Sequence, residues 1–450
     1  MYIGVMLKPV LRNIGCATMR FQAFRSFSVA CRAMTAQESI TPRSPNGAPD
    51  LPPSSQQHPT KDIPPLAPNL WKEAKKSFAE SIPIAMGDLG TTYWAPFWLR
   101  ENCRCVKCIH PETKQRLVHT HSIPFDIRPA SFRLVEGQHL EIQWPDGHSS
   151  TYTWPWLQLH CQHKPGAGPT FRPFEHASGS LSQLPKVDYD RIMKSEDGVK
   201  AWTQKIHQYG FCFVKGCPVD PEATKKLLER IAFIRPTHYG GFWDFTSDLA
   251  MKDMAYTTQG LGVHTDNAYF TDPSGLQMFH LLSHTDGDGG ESTLVDGFEA
   301  ARTLWSENPD AYAVLSNPIF SHHASGNEHV HIMPAKTHET FSHRQPTGEL
   351  YQIRWNDEDR GANFTGSQDS LLAWYVAARE WSQMLKRPKL LLKFKLEPGM
   401  PLIFDNWRML HGRTAFTGAR RMCGGYINRD DFISRYELLN KGRSALLDRI

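Results

Sequence analysis

The stretch Phe404-Asp405-Asn406-Trp407-Arg408-Met409-Leu410-His411-Gly412-Arg413 decides the fold. It continues a strand-like apolar run, 400–405, so His411 is delivered from a buried-looking element rather than a surface loop. Arg420 lies nine residues beyond His411 and leads into Met422-Cys423-Gly424-Gly425-Tyr426, another strand-like run. A metal-binding histidine followed about ten residues later by an arginine on the adjoining strand suits a dicarboxylate ligand. One carboxylate chelates the metal and the planar guanidinium pairs bidentately with the other. Arg421 stands beside Arg420, and from the residues alone either can take that part.

Upstream, His264-Thr265-Asp266 supplies the rest of a metal site. Residues i and i+2 of an extended strand share a face, so His264 and Asp266 are expected side by side. Two histidines and one carboxylate make the facial arrangement that holds Fe(II) and leaves open positions. The tripeptide recurs as His284-Thr285-Asp286, but that copy runs into Gly287-Asp288-Gly289-Gly290, a surface turn whose side chains need not converge. The first copy follows Leu261-Gly262-Val263 and precedes Ala268-Tyr269-Phe270, the setting of a strand edge facing a core. In a chain with 21 histidines the tripeptide alone is weak, and His411 with Arg420 gives it weight.

Working outward, strand-like runs at 275–282, 291–295, 350–355, 391–396, 400–405 and 422–428 alternate with Gly, Asp and Pro turns. Helices are expected across 299–305 and 370–386. The fold class is therefore mainly β with inserted helices, most simply a jelly roll. A hydrophobic fraction of 40% is enough for real cores and excludes a disordered chain. The 50 Lys+Arg against 46 Asp+Glu leave only +4, which gives no case for nucleic acid. No apolar run approaches about 18 residues, so no membrane-spanning helix is expected. Nine cysteines, an odd number and mostly scattered, exclude a disulfide scaffold.

At 450 residues the chain is too long for one ordinary domain. Residues 1–37 carry Lys8, Arg12, Arg20, Arg25 and Arg32 with no acidic residue, the pattern of a mitochondrial transit peptide. Residues 38–70, rich in Pro, Ser and Gln, are expected to be a disordered linker. A first folded domain, 71–170, holds Cys103, Cys105 and Cys108, three thiols that suit tetrahedral zinc and need a fourth ligand. His110, His119, His121, His148, His160 and Cys161 are candidates; His148 is preferred because Trp144-Pro145-Asp146-Gly147-His148 is a turn that aims one imidazole back. Reduced surface thiols are the alternative. The second domain, 171–450, carries the iron residues.

Taken jointly, His264-x-Asp266, the run ending in His411 and the trailing arginine resemble the Fe(II)/2-oxoglutarate oxygenases of carnitine biosynthesis, the γ-butyrobetaine hydroxylase/trimethyllysine dioxygenase family. The resemblance covers about 94–435 and includes the cysteine module. It implies an oxygenase jelly roll, Fe(II) on His264, Asp266 and His411, and structural Zn(II) on Cys103, Cys105, Cys108 and His148. It favours Arg420 for 2-oxoglutarate, because the family's arginine stands six residues before the tyrosine matching Tyr426. It further implies a homodimer and support of activity by ascorbate. Tyr239, Trp243, Tyr256 and Tyr426 match family residues that cage a quaternary ammonium; without the family they read as ordinary core aromatics. Such a cation cannot donate hydrogen bonds, and aromatic faces hold it with about 2 kcal/mol or more when desolvated.

Two substrates compete within the family. Trimethyllysine carries an α-ammonium that γ-butyrobetaine lacks, and Asp253 is an acidic residue where the γ-butyrobetaine branch has a neutral one. Asn356, with Arg360, matches a segment that contacts the substrate carboxylate. The expectation is C3 hydroxylation of Nε-trimethyllysine in the mitochondrial matrix, with 2-oxoglutarate and O2 consumed and succinate and CO2 released. γ-Butyrobetaine hydroxylation is the near alternative, and a non-catalytic zinc-module binding protein is the distant one.

Overall fold

The computed structural model describes residues 79–87, 90–135, 137–161, 183–246, 257–345 and 347–449, with Lys72. The basic segment 1–37, the linker 38–70, Asp253 and Tyr256 lie outside the described residues.

The first strands, β1 (Ile82–Ala85) and β2 (Thr91–Trp94), pair antiparallel and lead into a helix, Pro96–Glu101. Proline at the first turn of that helix costs nothing, because its missing N–H would be unpaired there anyway. A meander follows: β3 (Ser131–Val135), β4 (His139–Gln143) and β5 (Ser149–Thr153). Alternate residues of β4 and β5 are buried, so Leu140, Ile142 and Tyr152 face one apolar cluster with Trp94, Leu99 and Trp156. The turn 144–148 closes with Trp144 N–H donating to His148 O (2.8 Å), and Gly147 supplies the required positive φ of 77°.

The larger part of the chain is built on β6 (Lys186–Asp188), β7 (Phe211–Lys215), β8 (Trp243–Thr246), β9 (Leu261–His264), β10 (Leu276–Thr285), β11 (Ser292–Asp296), β12 (Phe320–His322), β13 (Phe341–Arg344), β14 (Glu349–Ile353), β15 (Arg360–Phe364), β16 (Leu391–Phe394), β17 (Leu402–Asp405), β18 (Met409–Arg413) and β19 (Ala419–Ile427). One sheet runs β6-β7-β17-β10-β19-β8, antiparallel except at β6–β7; a second runs β16-β11-β18-β9. Phe213, Leu281, Leu402, Phe404 and Met422 from the first share a core with Leu294, Phe394 and Met409 from the second. The two sheets therefore meet face to face.

Helices are more than inserts, which corrects the expected mainly-β class to a mixed one. The outer face of the larger sheet is as apolar as its inner one, and Val199, Trp202 and Ile206 of the helix Glu196–Tyr209 cover Met278, Ile403 and Ile427. That helix is capped by Ser195 Oγ, which accepts from Gly198 N–H (3.1 Å). Over the smaller sheet, Phe298, Tyr312, Trp374 and Trp381 from three helices pack against Val295 and Leu410. The helix expected at 370–386 runs Gln368–Met384, started by Ser367. No helix among the described residues is long and apolar enough to cross a membrane.

Candidate active site and a second metal-ligand cluster

Strands β9 and β18 pair so that His264 faces His411 directly, their rings 4.4 Å apart. Both Nε2 atoms point at one carboxylate oxygen: Asp266 Oδ1 lies 3.2 Å from His264 and 3.5 Å from His411. The strand explanation expected for His264 and Asp266 fails, because β9 ends at His264. Asp266 sits in the following turn, ahead of Asn267 at a positive φ of 60°. Asn406 holds it there: its Oδ1 accepts from Asp266 N–H (2.8 Å), and its Nδ2 donates to Asp266 O and Ser274 O (both 3.0 Å). Thr265 is fixed the same way, donating its N–H to Trp355 O (2.8 Å) and accepting from Trp355 N–H at Oγ1 (3.0 Å).

The stretch 405–408 is thus a scaffold. Asp405 pairs with buried Arg429 (2.5 Å), Asn406 holds the carboxylate turn, and Arg408 pairs with buried Asp296 (2.6 Å). Asp266 Oδ2 is taken by Gln277 Nε2 and Tyr426 OH, both at 2.7 Å, which leaves Oδ1 for a metal. His264 Nδ1 lies 2.8 Å from Gly262 O; a proton there keeps Nε2 as the lone-pair donor. Burial opposes charge on Asp266, but His411 and His264 prevail and hold its pKa well below the ordinary carboxylate range. Burial also works against His264 protonation, and Asp266 overrides it, raising the imidazole to about 9, so an incoming cation must displace the Nε2 proton. These donors fit a divalent cation: an ionised oxygen and two imidazole nitrogens within 4.8 Å of one another.

The triad opens on a cavity of about 330 Å³. Arg420 lines it from β19, 4% exposed, its pKa lowered by burial, with no carboxylate at salt-bridge distance among the described residues. Its neighbour points the other way: Arg421 is half-exposed and forks onto Asp244 (2.9 and 2.6 Å). Strand alternation therefore separates the two arginines that spacing left open. Tyr239, Trp243 and Tyr426 line the same cavity, with Trp243 and Tyr426 rings edge-to-face at 6.2 Å. Asn356 lines it too, whereas Arg360 does not; its guanidinium lies over Phe320 (4.9 Å), Trp374 and Tyr375. His284 of the repeated tripeptide bonds Thr417 O (2.9 Å) and joins no metal group among the described residues.

Sequence reasoning missed Gln277, Asn406 and Thr265. Gln277 carried the one available signal, being, with His280, one of two polar side chains in an apolar strand run.

Cys103, Cys105, Cys108 and His148 converge as a second group. His148 Nε2 lies 3.1, 3.6 and 3.6 Å from the three sulfurs. Zinc bonds of about 2.3 Å to sulfur and 2.0–2.1 Å to nitrogen give tetrahedral S···N edges near 3.6 Å. Burial and the adjacent Cys103 push the Cys108 thiol up to about 12, so three thiolates need a cation to coexist. Arg100 steadies the cluster, reaching Cys108 Sγ (3.5 Å) and Asp146 Oδ2 (3.2 Å), while Asp146 Oδ1 accepts from His148 N–H (2.9 Å).

Comparison with known proteins agrees with this geometry. Residues 170–426 match the family described as taurine catabolism dioxygenase TauD, TfdA family. Residues 76–158 match the γ-butyrobetaine hydroxylase-like N-terminal family. A trimethyllysine dioxygenase of Neurospora crassa is 46% identical over 387 residues, 79% of this chain and 82% of that one. The mitochondrial trimethyllysine dioxygenase of Homo sapiens is 38% identical over 348 residues, 76% and 82%. A γ-butyrobetaine dioxygenase of Pseudomonas is 31% identical over 372 residues, 81% and 95%. With a metal triad and a lone buried arginine in one cavity, and these similarities along most of its length, the chain belongs to the TauD/TfdA family of Fe(II)/2-oxoglutarate dioxygenases, in the branch of the trimethyllysine and γ-butyrobetaine dioxygenases.

Proposed function

We propose that this enzyme hydroxylates Nε-trimethyllysine at C3, converting 2-oxoglutarate and O2 to succinate and CO2, the first step of carnitine biosynthesis. One observation carries the reading: the triad, the buried Arg420 and the aromatic wall of Tyr239, Trp243 and Tyr426 face one cavity. His264, Asp266 and His411 would hold Fe(II), which when bound supplies the redox chemistry linking decarboxylation of 2-oxoglutarate to hydroxylation. Arg420 pairs with the distal carboxylate of 2-oxoglutarate and fixes its direction of approach. Gln277 and Tyr426 hold Asp266 so that one oxygen stays aimed at the metal position. The aromatic wall, completed by Tyr256, holds the trimethylammonium so that C3 rather than another carbon faces the metal. Asp253 pairs with the α-ammonium and Asn356 contacts the carboxylate; ascorbate supports activity.

The same reading makes 171–450 a double-stranded β-helix oxygenase domain. Residues 71–170 form a zinc domain closed by Cys103, Cys105, Cys108 and His148, structural because four protein ligands leave no open position. It also gives a homodimer and a matrix enzyme whose residues 1–37 are its transit peptide, supported by the basic, acid-free composition and the mitochondrial name of the human relative. Succinate release with trimethyllysine and with γ-butyrobetaine tests the assignment; faster turnover of γ-butyrobetaine would refute it. Metal analysis that found zinc but no iron affinity would favour a binding protein instead.

A further inference from the structure

We infer that Asp359, in the turn whose Asn356 contacts the substrate carboxylate, is a second acceptor for the α-ammonium alongside Asp253; this rests on the trimethyllysine reading above. C3 is one bond from Cα, and the α-nitrogen is only two bonds from C3. A substrate oxidised at C3 must therefore bind its head beside the metal and reach its trimethylammonium away from it. The turn 356–359 is anchored beside the metal ligands. Trp355, the residue before it, is doubly hydrogen-bonded to Thr265, which stands between the ligands His264 and Asp266.

Within the turn the polar groups are sorted by direction. Asn356 Nδ2 donates to Asp359 Oδ2 (2.8 Å), and both side chains line the cavity. Asp357 instead pairs with Arg360 Nε (3.2 Å), whose guanidinium lies over the Phe320 and Trp374 rings, outside the cavity lining. Asp359 and Glu358, at the rim, are thus the acidic residues lining the cavity besides Asp266, among those described. γ-Butyrobetaine is neutral overall and would bring a carboxylate, with no ammonium beside it, up to Asp359. Like charges at such a subsite reject the wrong partner as well as selecting the right one.

The test compares trimethyllysine with 6-(trimethylammonio)hexanoate, the same skeleton without the α-amino group, by succinate release from the full chain. Asp359→Asn should lower the kcat/KM ratio of trimethyllysine to the deamino analogue at least about tenfold, mainly through the KM for trimethyllysine. Asp359→Glu, which keeps the charge, should retain most of the preference, an outcome that a purely structural Asp359 would not produce. If Asp359→Asn does not fold, Asp359→Ser reads the same ratio. An unchanged ratio in the neutral variants, with wild type active on trimethyllysine, overturns the inference alone. Wild type inactive on trimethyllysine overturns the underlying reading.

Discussion

Replacing Arg420 by methionine should weaken 2-oxoglutarate binding while making the ligand-free protein more resistant to heat. The guanidinium is 4% exposed, burial lowers its pKa, and no carboxylate lies at salt-bridge distance among the described residues. It is therefore a buried cation resting on the Phe416 ring (5.6 Å), with no carboxylate partner among the described residues until a dicarboxylate arrives. A hydrogen bond to a charged group is worth roughly 1.5–3 kcal/mol, so losing a bidentate pair should cost about 3–5 kcal/mol of binding. At 1.4 kcal/mol per tenfold, that is about a 100- to 4,000-fold rise in the KM for 2-oxoglutarate. Methionine fills much of the same volume without a charge, so differential scanning fluorimetry of the ligand-free variant should give a higher Tm than wild type. Added 2-oxoglutarate with iron should stabilise wild type and not the variant. Arg421→Met is the control: its exposed pair with Asp244 is worth about 0–1 kcal/mol and touches nothing in the cavity. A 2-oxoglutarate KM within threefold of wild type for Arg420→Met, or an equal rise for Arg421→Met, would refute the reasoning.

Three further outcomes follow from the same geometry. Asn406→Ala removes three hydrogen bonds that hold the Asp266 turn, so iron affinity measured by titration under anaerobic conditions should fall about 10- to 100-fold. Tyr426→Phe takes one of two donors from Asp266 Oδ2 while keeping the ring, and should lower iron affinity less than Gln277→Leu combined with it. One zinc per chain should be found by metal analysis, and Cys105→Ser should abolish it. Because burial and Cys103 raise the Cys108 thiol to about 12, zinc binding must release protons; affinity should fall as pH drops from 8 to 6, read by chelator competition.

The chemistry of this chain was legible in its sequence to the extent that residue type alone determines it. His411 and the three clustered cysteines were found because metals restrict their ligands to a few side chains, whereas spacing left Arg420 and Arg421 open until the family resemblance and strand alternation separated them. Residue 148 was reachable for a similar reason: a tight turn with glycine at its fourth residue, 147, turns the next side chain back. What escaped was set by long-range pairing. Asn406 looks like any polar turn residue until β17 and β18 bring it within 3 Å of a turn some 140 residues earlier. The wrong account of Asp266 has the same origin. A strand would have aligned it with His264 by itself, whereas the actual turn requires Asn406 and Trp355 to impose its shape. Mutations at Asn406 should therefore weaken the metal site, although Asn406 carries no metal chemistry of its own. The repeat at His284 makes the converse case. It has the same three residues, but its copy ends in a turn held by Thr417, Ala415 and Lys395, and it joins no metal-ligand group among the described residues. Identity of the tripeptide did not make the site; the partners that bend the chain after it did.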